Sequence, residues 1–499
     1  MRLSLSINRE FIVGAIDDRL YSSFLEHLGR AVYSGIFEPG HKTADAHGFR
    51  TDVAELVRDL NVPLVRYPGG NFVSNFRWED AVGPVHDRPR RLDLAWRSVE
   101  PNIFGLSEFI RWSRLVGTSP MLAVNLGTRG LEAASALVEY CNHPGGSSWS
   151  DLRRQHGDAD PYNIRIWCLG NEMDGPWQVG QKTADEYGRL ALETAKAIKL
   201  FDPTLELVAC GSSFPEMPTF PQWEATVLEH CYEKVDYLSL HQYQNNNADD
   251  LSSYLGASVR MDAFIKTVVS TCDYVAAKKR QKRPMMLSFD EWNVWFHTLK
   301  SDKNQEPWKV GPPLLEDVYT FEDALVVGLL LNVLIRHADR VKVACLAQLV
   351  NVIAPIMTRE GGGCWKQTIY WPFWYASHFG RGTSLMPIVS TEGYDDPQSG
   401  LVPWLDASVV LSPEEDELYV FMVNRHSTET LTVTSRLVGF ESWSVVEHVK
   451  LHHDDPKAAN TEATPNRVLP QASQPKTPTS LDSLSFGPLS WNMVRLRKV

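Results

Sequence analysis

Between about residues 20 and 380, short apolar runs alternate with longer amphipathic stretches. The runs at 23–28, 63–67, 121–126, 164–169, 205–210, 235–240, 285–289 and 341–346 are short and largely apolar. A strand buried on both faces requires that pattern. The segments between them, at 51–60, 104–116, 131–141, 184–200, 223–234, 261–279 and 321–339, repeat their apolar positions at helical spacing. A last helix is expected over 369–379. Eight strands alternating with helices predict an α/β fold, a (β/α)8 TIM barrel. The rival is a doubly wound open sheet. It normally carries a glycine-rich phosphate turn after its first strand, and none is present here.

Past residue 382 the helical periodicity stops. Alternating runs such as 418–423, 431–434 and 443–447 are separated by Pro, Ser, Asn and Asp, which predicts a C-terminal antiparallel β-sandwich of jelly-roll type. The start of the chain, 3–7, also alternates and has no place in the barrel. The expected organisation is therefore an N-terminal strand in 1–14 that pairs into the β-domain, a barrel over 15–381 and a β-sandwich over 382–499. The stretch 454–480, rich in Pro, Ala, Thr and Asn, reads as a long surface loop.

Charge and cysteine content narrow the partners. A formal net charge of −12 argues against nucleic acid and anionic membranes, both of which reward clustered Lys and Arg. The one dense basic run, 278–283, ends a helical pattern and reads as a solvated helix end. The seven cysteines show no disulfide framework or metal-ligand spacing. The longest apolar segment, 324–335, is too short to span a bilayer, and the first ten residues hold no uninterrupted apolar core of a secretory leader. Together these predict a reduced, cytoplasmic setting.

Candidate chemistry gathers where the strands end. Glu26 and His27 close the first run, Arg66-Tyr-Pro-Gly-Gly-Asn71 the second, Asn171-Glu172 the fourth, His241-Gln-Tyr243 the sixth, Asp290-Glu291 the seventh, and Gln348 follows the eighth. A barrel enzyme builds its site at the C-terminal ends of the strands. Glu206 and Asp236 lie near strand starts, where a stabilising role is expected. A pair of carboxylates at the mouth is the minimal machinery for cleaving a glycosidic bond, one protonated and one ionised. Strands four and seven lie on opposite sides of the barrel, so Glu172 and Glu291 can face each other across it. Asp290 competes for the role of Glu291 and is assigned to a structural hydrogen bond. Without His-x-His spacing among the 15 histidines, a metal-dependent site is not indicated, and no cofactor is expected.

Several motifs together resemble the family 51 glycoside hydrolases, the α-L-arabinofuranosidases. They are Phe24-Leu-Glu-His-Leu-Gly-Arg, Val65-Arg-Tyr-Pro-Gly-Gly-Asn-Phe, Cys168-Leu-Gly-Asn-Glu-Met-Asp-Gly-Pro-Trp, Leu238-Ser-Leu-His-Gln-Tyr and Phe289-Asp-Glu-Trp-Asn-Val-Trp. The resemblance implies that Glu172 is the acid/base and Glu291 the nucleophile of a retaining, exo-acting enzyme. It implies that Asn171 bonds the sugar 2-hydroxyl, that Glu26, Asn71 and Gln348 hold other arabinofuranose hydroxyls, and that Tyr243 and Arg66 support Glu291. His241 is placed beside the acid/base, and Trp96, Trp177 and Trp295 at the rim and leaving-group side. The family is commonly oligomeric, so a homo-oligomer, tetramer or hexamer, is implied. The expected substrate is an arabino-oligosaccharide from arabinan or arabinoxylan. Another furanoside, a β-glycan, or a binding protein without catalysis are the alternatives.

Overall fold

The computed structural model describes residues 1–498. Strands one to eight of a closed barrel are Ser22–Phe24, Leu64–Tyr67, Ser119–Val124, Ile166–Leu169, Glu206–Ala209, Tyr237–Gln244, Met286–Val294 and Val341–Ala347. Every pairing around it is parallel. One long helix follows each strand in turn: Thr51–Asp59, Leu106–Val116, Leu131–Asn142, Ala184–Phe201, Gln222–Cys231, Ala257–Lys278, Phe321–Arg336 and Tyr370–Phe379. Side chains fill the barrel interior, among them Phe24, Leu64, Met121, Ile166, Val208 and Val343. Nothing in this layer is a pore.

Strand boundaries differ from the sequence reading where the site lies. Strand one stops at Phe24, so Glu26 and His27 fall in the turn after it. Strands six and seven run on to Gln244 and Val294, paired with each other as far as Gln244↔Val294. His241, Tyr243 and Glu291 therefore sit within strands, not beyond them. At the opposite face, Arg19 pairs with Glu206 at 2.9 Å and Lys199 with Asp236 at 2.9 Å, closing the bottom of the barrel with ion pairs.

The C-terminal part is two stacked sheets. The larger has seven strands and the smaller four. The N-terminal segment contributes to both. Ile12–Ala15 pairs with Thr383–Leu385 in the large sheet. Arg2–Asn8 lies in the small sheet between Ile388–Ser390 and Leu431–Val438, parallel to the latter; all other pairs in the two sheets are antiparallel. Leu5, Ile7 and Val433 from one sheet pack against Val409, Val420 and Met422 from the other.

Helix Phe321–Arg336 explains the long apolar run at 324–335. It is buried along nearly its whole length because it lies between the barrel and the large sheet. Two of its polar residues, Asn332 and Arg336, face the β-domain. Asn332 donates to Asp406 (2.9 Å) and accepts from Ser408 (2.7 Å), and Arg336 and Arg425 bind the same Asp406 at 2.9 and 3.1 Å. The stretch 454–480 is mostly the exposed loop expected, with a few anchoring residues turned inward. Ala458, Asn460 and Val468 are buried, and the carbonyls of Pro456 and Ala458 accept the first free N–H groups of this helix. These orphan donors need partners when a helix starts in the interior. No helix among the described residues is long and apolar enough to cross a membrane.

Gly328 marks the closest approach between helix and sandwich. A Cβ there would overlap the Trp491 ring. Gly328→Ala is expected to destabilise the protein by about 1–3 kcal/mol through overpacking. Denaturant unfolding checks this, and an unchanged midpoint would refute the tight contact.

Candidate active site

Arg66, at the end of strand two, is fully buried in the barrel mouth. Its Nη1 donates to Glu291 Oε1 at 2.7 Å and its Nη2 to Asn171 Oδ1 at 2.7 Å. Its Nε lies 3.3 Å from Asp290 Oδ2. One guanidinium thus ties strand two to strands four and seven. The Gly69-Gly70 pair that follows lets the chain cross directly above. A Cβ on Gly70 would sit 2.9 Å from Glu291 Oε1 and 3.3 Å from Asn171 Nδ2. Only a residue without a side chain leaves that space open.

Glu172 stands opposite Glu291, past the end of strand four. Its φ of 45° is left-handed, a conformation that costs an L-residue about 1–3 kcal/mol and clusters at functional sites. The turn sends its carboxylate back over the mouth. Trp177 Nε1 donates to Glu172 Oε2 at 2.8 Å, and His241 Nδ1 lies 2.9 Å from Oε1. Tyr243 OH donates to Glu291 Oε2 at 2.8 Å. His241 bridges the pair. Its Nδ1 is also 3.7 Å from Glu291, and its Nε2 is 3.2 Å from Asp290. Oxygens of Glu172 and Glu291 come within 4.8 Å of each other. An approach inside 4.8 Å fits the roughly 5–5.5 Å spacing of double displacement better than the roughly 6.5–9.5 Å of a water-activating pair.

A second polar group lies beside the carboxylates. Glu26 Oε1 accepts from Phe72 N (2.9 Å) and Trp96 Nε1 (3.0 Å), and Gln348 both donates to Glu26 Oε2 (3.3 Å) and accepts from its backbone N–H (3.0 Å). Asn71 accepts a long 3.5 Å bond from Asn171. Trp177 stacks on Phe214 at 5.9 Å, and Trp295 meets Tyr243 edge-on at 5.5 Å. Glu26, Asn71, Trp96, Glu172, Trp177, Tyr243, Glu291, Trp295 and Gln348 all line one cavity of about 810 Å³, while Arg66, Asn171 and His241 support it from below. Asp290 lies beneath the cavity, held by Ser239, His241 and Arg66.

Buried charges set the protonation states. Burial alone would push the His241 imidazole down, yet Glu291, Asp290 and Glu172 override it and lift its pKa to about 10. Burial raises Glu172, and the charge of Glu291 raises it further, against the pull of His241 and Trp177. Burial and Glu291 likewise lift Glu26 to about 8. Asp290 goes the other way: burial is outweighed by Arg66 and His241, so it stays ionised. Glu172, His241 and Glu291 are close enough to share a cation. A protonated imidazole has no lone pair to give, so the trio acts as an ion bridge, not a ligand set.

Several lining residues went unread in the sequence. Ser213 and Phe214 come from the turn after strand five, and Asn245, Asn246 and Asn247 from the turn after strand six. The Gly-Ser-Ser that closes the fifth apolar run was the available cue. Gln398 arrives from the β-domain, and no local pattern connects it to the barrel.

Comparison with known proteins follows the same outline. Residues 56–258 match the model of the α-L-arabinofuranosidase 1 domain and 290–490 that of the α-L-arabinofuranosidase C-terminal domain. An intracellular exo-α-(1→5)-L-arabinofuranosidase of Halalkalibacterium halodurans is 56% identical over 99% of both chains. An exo-α-(1→6)-L-arabinofuranosidase of Bifidobacterium longum is 46% identical over 99% of this chain and 97% of its own. The solved structure of a family 51 α-L-arabinofuranosidase from Bifidobacterium longum superposes with a TM-score of 0.93, at 43% identity over 99% of each chain.

The charge assignment is directly measurable. NMR of the His241 ring should show both nitrogens protonated at pH 7, with titration near pH 10. Glu291→Gln removes an anionic neighbour and should lower that value. Titration near 6.5 in the wild type would refute the ion bridge.

Proposed function

The chain belongs to glycoside hydrolase family 51, the α-L-arabinofuranosidases, and from this we propose how its own residues carry out the reaction. The enzyme is a retaining, exo-acting α-L-arabinofuranosidase that releases terminal α-L-arabinofuranose from arabino-oligosaccharides by double displacement. The observation that carries the residue assignment is the approach of Glu172 and Glu291 to within 4.8 Å, each with different partners.

Glu291 is the nucleophile. Arg66 and Tyr243 donate to its two oxygens, one each, which aims the carboxylate at the anomeric carbon. Glu172 is the acid. Its raised pKa keeps the proton that the leaving oxygen takes as the glycosidic bond breaks. Once Glu291 is esterified, its negative charge is gone and the repulsion that raised Glu172 is lost. Glu172 then accepts a proton from the attacking water, so the acid of the first step is the base of the second. Asn171, fixed by Arg66, bonds the sugar 2-hydroxyl, and Glu26, Asn71 and Gln348 hold the remaining hydroxyls. The Trp177–Phe214 pair offers an aromatic platform to the leaving group, and Trp96 and Trp295 wall the pocket.

The relative named for α-(1→5) linkages favours that linkage here over the α-(1→6) linkage of the more distant one. The intracellular relative supports a cytoplasmic enzyme acting on short imported oligosaccharides. A homo-oligomer, tetramer or hexamer, is the expected assembly, which light scattering can check.

Glu291→Ala should lower kcat/KM on an aryl α-L-arabinofuranoside by on the order of 10⁴ or more. Glu172→Ala should lose about 10²–10⁴ with a poor leaving group, and azide should restore part of the rate with an activated one, giving a glycosyl azide of retained configuration. A first-formed product of inverted configuration would overturn the assignment. In wild type, kcat/KM should fall on the alkaline side, because ionisation of Glu172 removes the acid, and Glu172→Gln should abolish that limb.

A further inference from the structure

Glu172 is carried by a tight turn past strand four, and that turn is fastened to the next one. The backbone closes where Gly175 N–H donates to Glu172 O at 2.9 Å. Asp174, between them, turns its side chain across to the turn after strand five. Its Oδ2 accepts the Ser213 backbone N–H at 3.0 Å, and its Oδ1 accepts the Ser213 hydroxyl. One residue earlier, Glu224 from the following helix accepts the Ser212 N–H at 2.7 Å. Consecutive amides of the strand-five turn are thus held by two carboxyl groups.

Both acids are held at a cost. Asp174 is 4% exposed and Glu224 1%, and neither forms an ion pair among the described residues. Burial outweighs the bonds from Ser213 and raises Asp174, and it lifts Glu224 to about 7. A core that only needed filling would not place carboxyl groups without cations. Perturbed acids of this kind cluster at functional sites.

What the clamp holds is the surroundings of the acid. Phe214 follows Ser213 and stacks on Trp177, with ring centroids 5.9 Å apart and planes 16° from parallel. Trp177 is 43% exposed, so little other packing fixes it. Its ring lies against Gly175, where a Cβ would come within 2.5 Å of it. Its Nε1 donates to Glu172 Oε2 at 2.8 Å. The indole therefore takes its direction from Phe214, and Phe214 takes its place from Asp174 through Ser213.

We infer that Asp174 is a positioning residue for proton donation: it clamps the Ser213–Phe214 turn against the turn that carries Glu172, and so sets the Trp177 indole that aims the acid. Without the clamp the indole shifts and the Glu172 carboxyl loses its line to the leaving oxygen, while Glu291 keeps Arg66 and Tyr243. The inference rests on the assignment of Glu172 as the acid.

The test compares kcat/KM on dinitrophenyl and phenyl α-L-arabinofuranosides. The first aglycone leaves without a proton and the second needs one. Both are aromatic, so a weakened Trp177–Phe214 platform affects them alike, and only lost proton donation separates them. Asp174→Ala should lose about 10–100-fold on the phenyl substrate, the scale of a misplaced catalytic group, and stay within about threefold on the dinitrophenyl one. Asp174→Asn, whose side-chain oxygen can still take the Ser213 N–H, should recover most of the phenyl rate. Ser213→Ala keeps the backbone bond and loses only the hydroxyl. It should show the same selectivity at about three- to tenfold, and it carries the test if Asp174→Ala does not fold. Equal losses on both substrates, or no loss on either, would overturn the positioning role. So would Asp174→Asn as impaired as Asp174→Ala, because a clamp needs an acceptor and not a charge. Glu172→Ala is the control: if it shows no such selectivity, the assignment of the acid falls and the inference with it.

Discussion

A single buried cation organises the barrel mouth. Arg66 cannot shed its proton, and it has been taken out of water, so the fold must supply anions around it. It does so with Asp290 and Glu291, and with the Asn171 carbonyl oxygen as a neutral acceptor. His241 is the second cation, set against the same two anions and beside the Glu172 carboxyl. Two cations can balance two carboxylates. The pocket holds four: Glu26, Glu172, Asp290 and Glu291. The surplus pair is where protons are retained, which is the direction found for Glu172 and Glu26. The raised pKa of Glu172 thus follows from the charge count of the whole mouth. Changing Arg66 would disturb both carboxylates at once.

The β-domain matters to this mouth in two ways. Its contact with helix Phe321–Arg336 is nearly dry and has a polar stitch at Asp406, where Arg336, Arg425 and Asn332 converge. A helix buried on both sides can be apolar all round, which a surface helix of the barrel cannot be. The hairpin carrying Gln398 then reaches from the same domain to the rim. The interface that holds the domain on is also what fixes the hairpin relative to strand six.

Much of this was legible in the residues. Short, largely apolar runs marked all eight barrel strands, since a strand covered on both faces keeps few polar positions. Polar residues at the ends of those runs converge on one cavity, because a parallel barrel gathers its strand ends at one face. What escaped was non-local. The stretch 454–480 is mostly the loop its composition suggests, but the burial of Ala458 within it depends on a helix start more than a hundred residues earlier. The parallel pairing of Arg2–Asn8 with Leu431–Val438 depends on chain ends meeting, which periodicity cannot encode. Gln398 was invisible for the same reason.

Strand seven shows how a local irregularity can decide chemistry. Asp290 and Glu291 are consecutive, so regular alternation would turn one of them away from the barrel interior. Both nevertheless face Arg66. The register explains it. Between Ser239↔Ser288 and His241↔Glu291 strand six advances two residues while strand seven advances three. Between Phe289↔Ala344 and Trp292↔Leu346 strand seven again has three against two in strand eight. One extra residue is thus accommodated against both neighbours at Asp290–Glu291, the behaviour of a β-bulge, which re-aims side chains near functional sites. The bulge lets one acid sit under the mouth as a permanent counter-ion and the next stand in it with its oxygens held by Arg66 and Tyr243. Without it, the guanidinium would lose one of its two anions and the charge balance that raises the pKa of Glu172 would change.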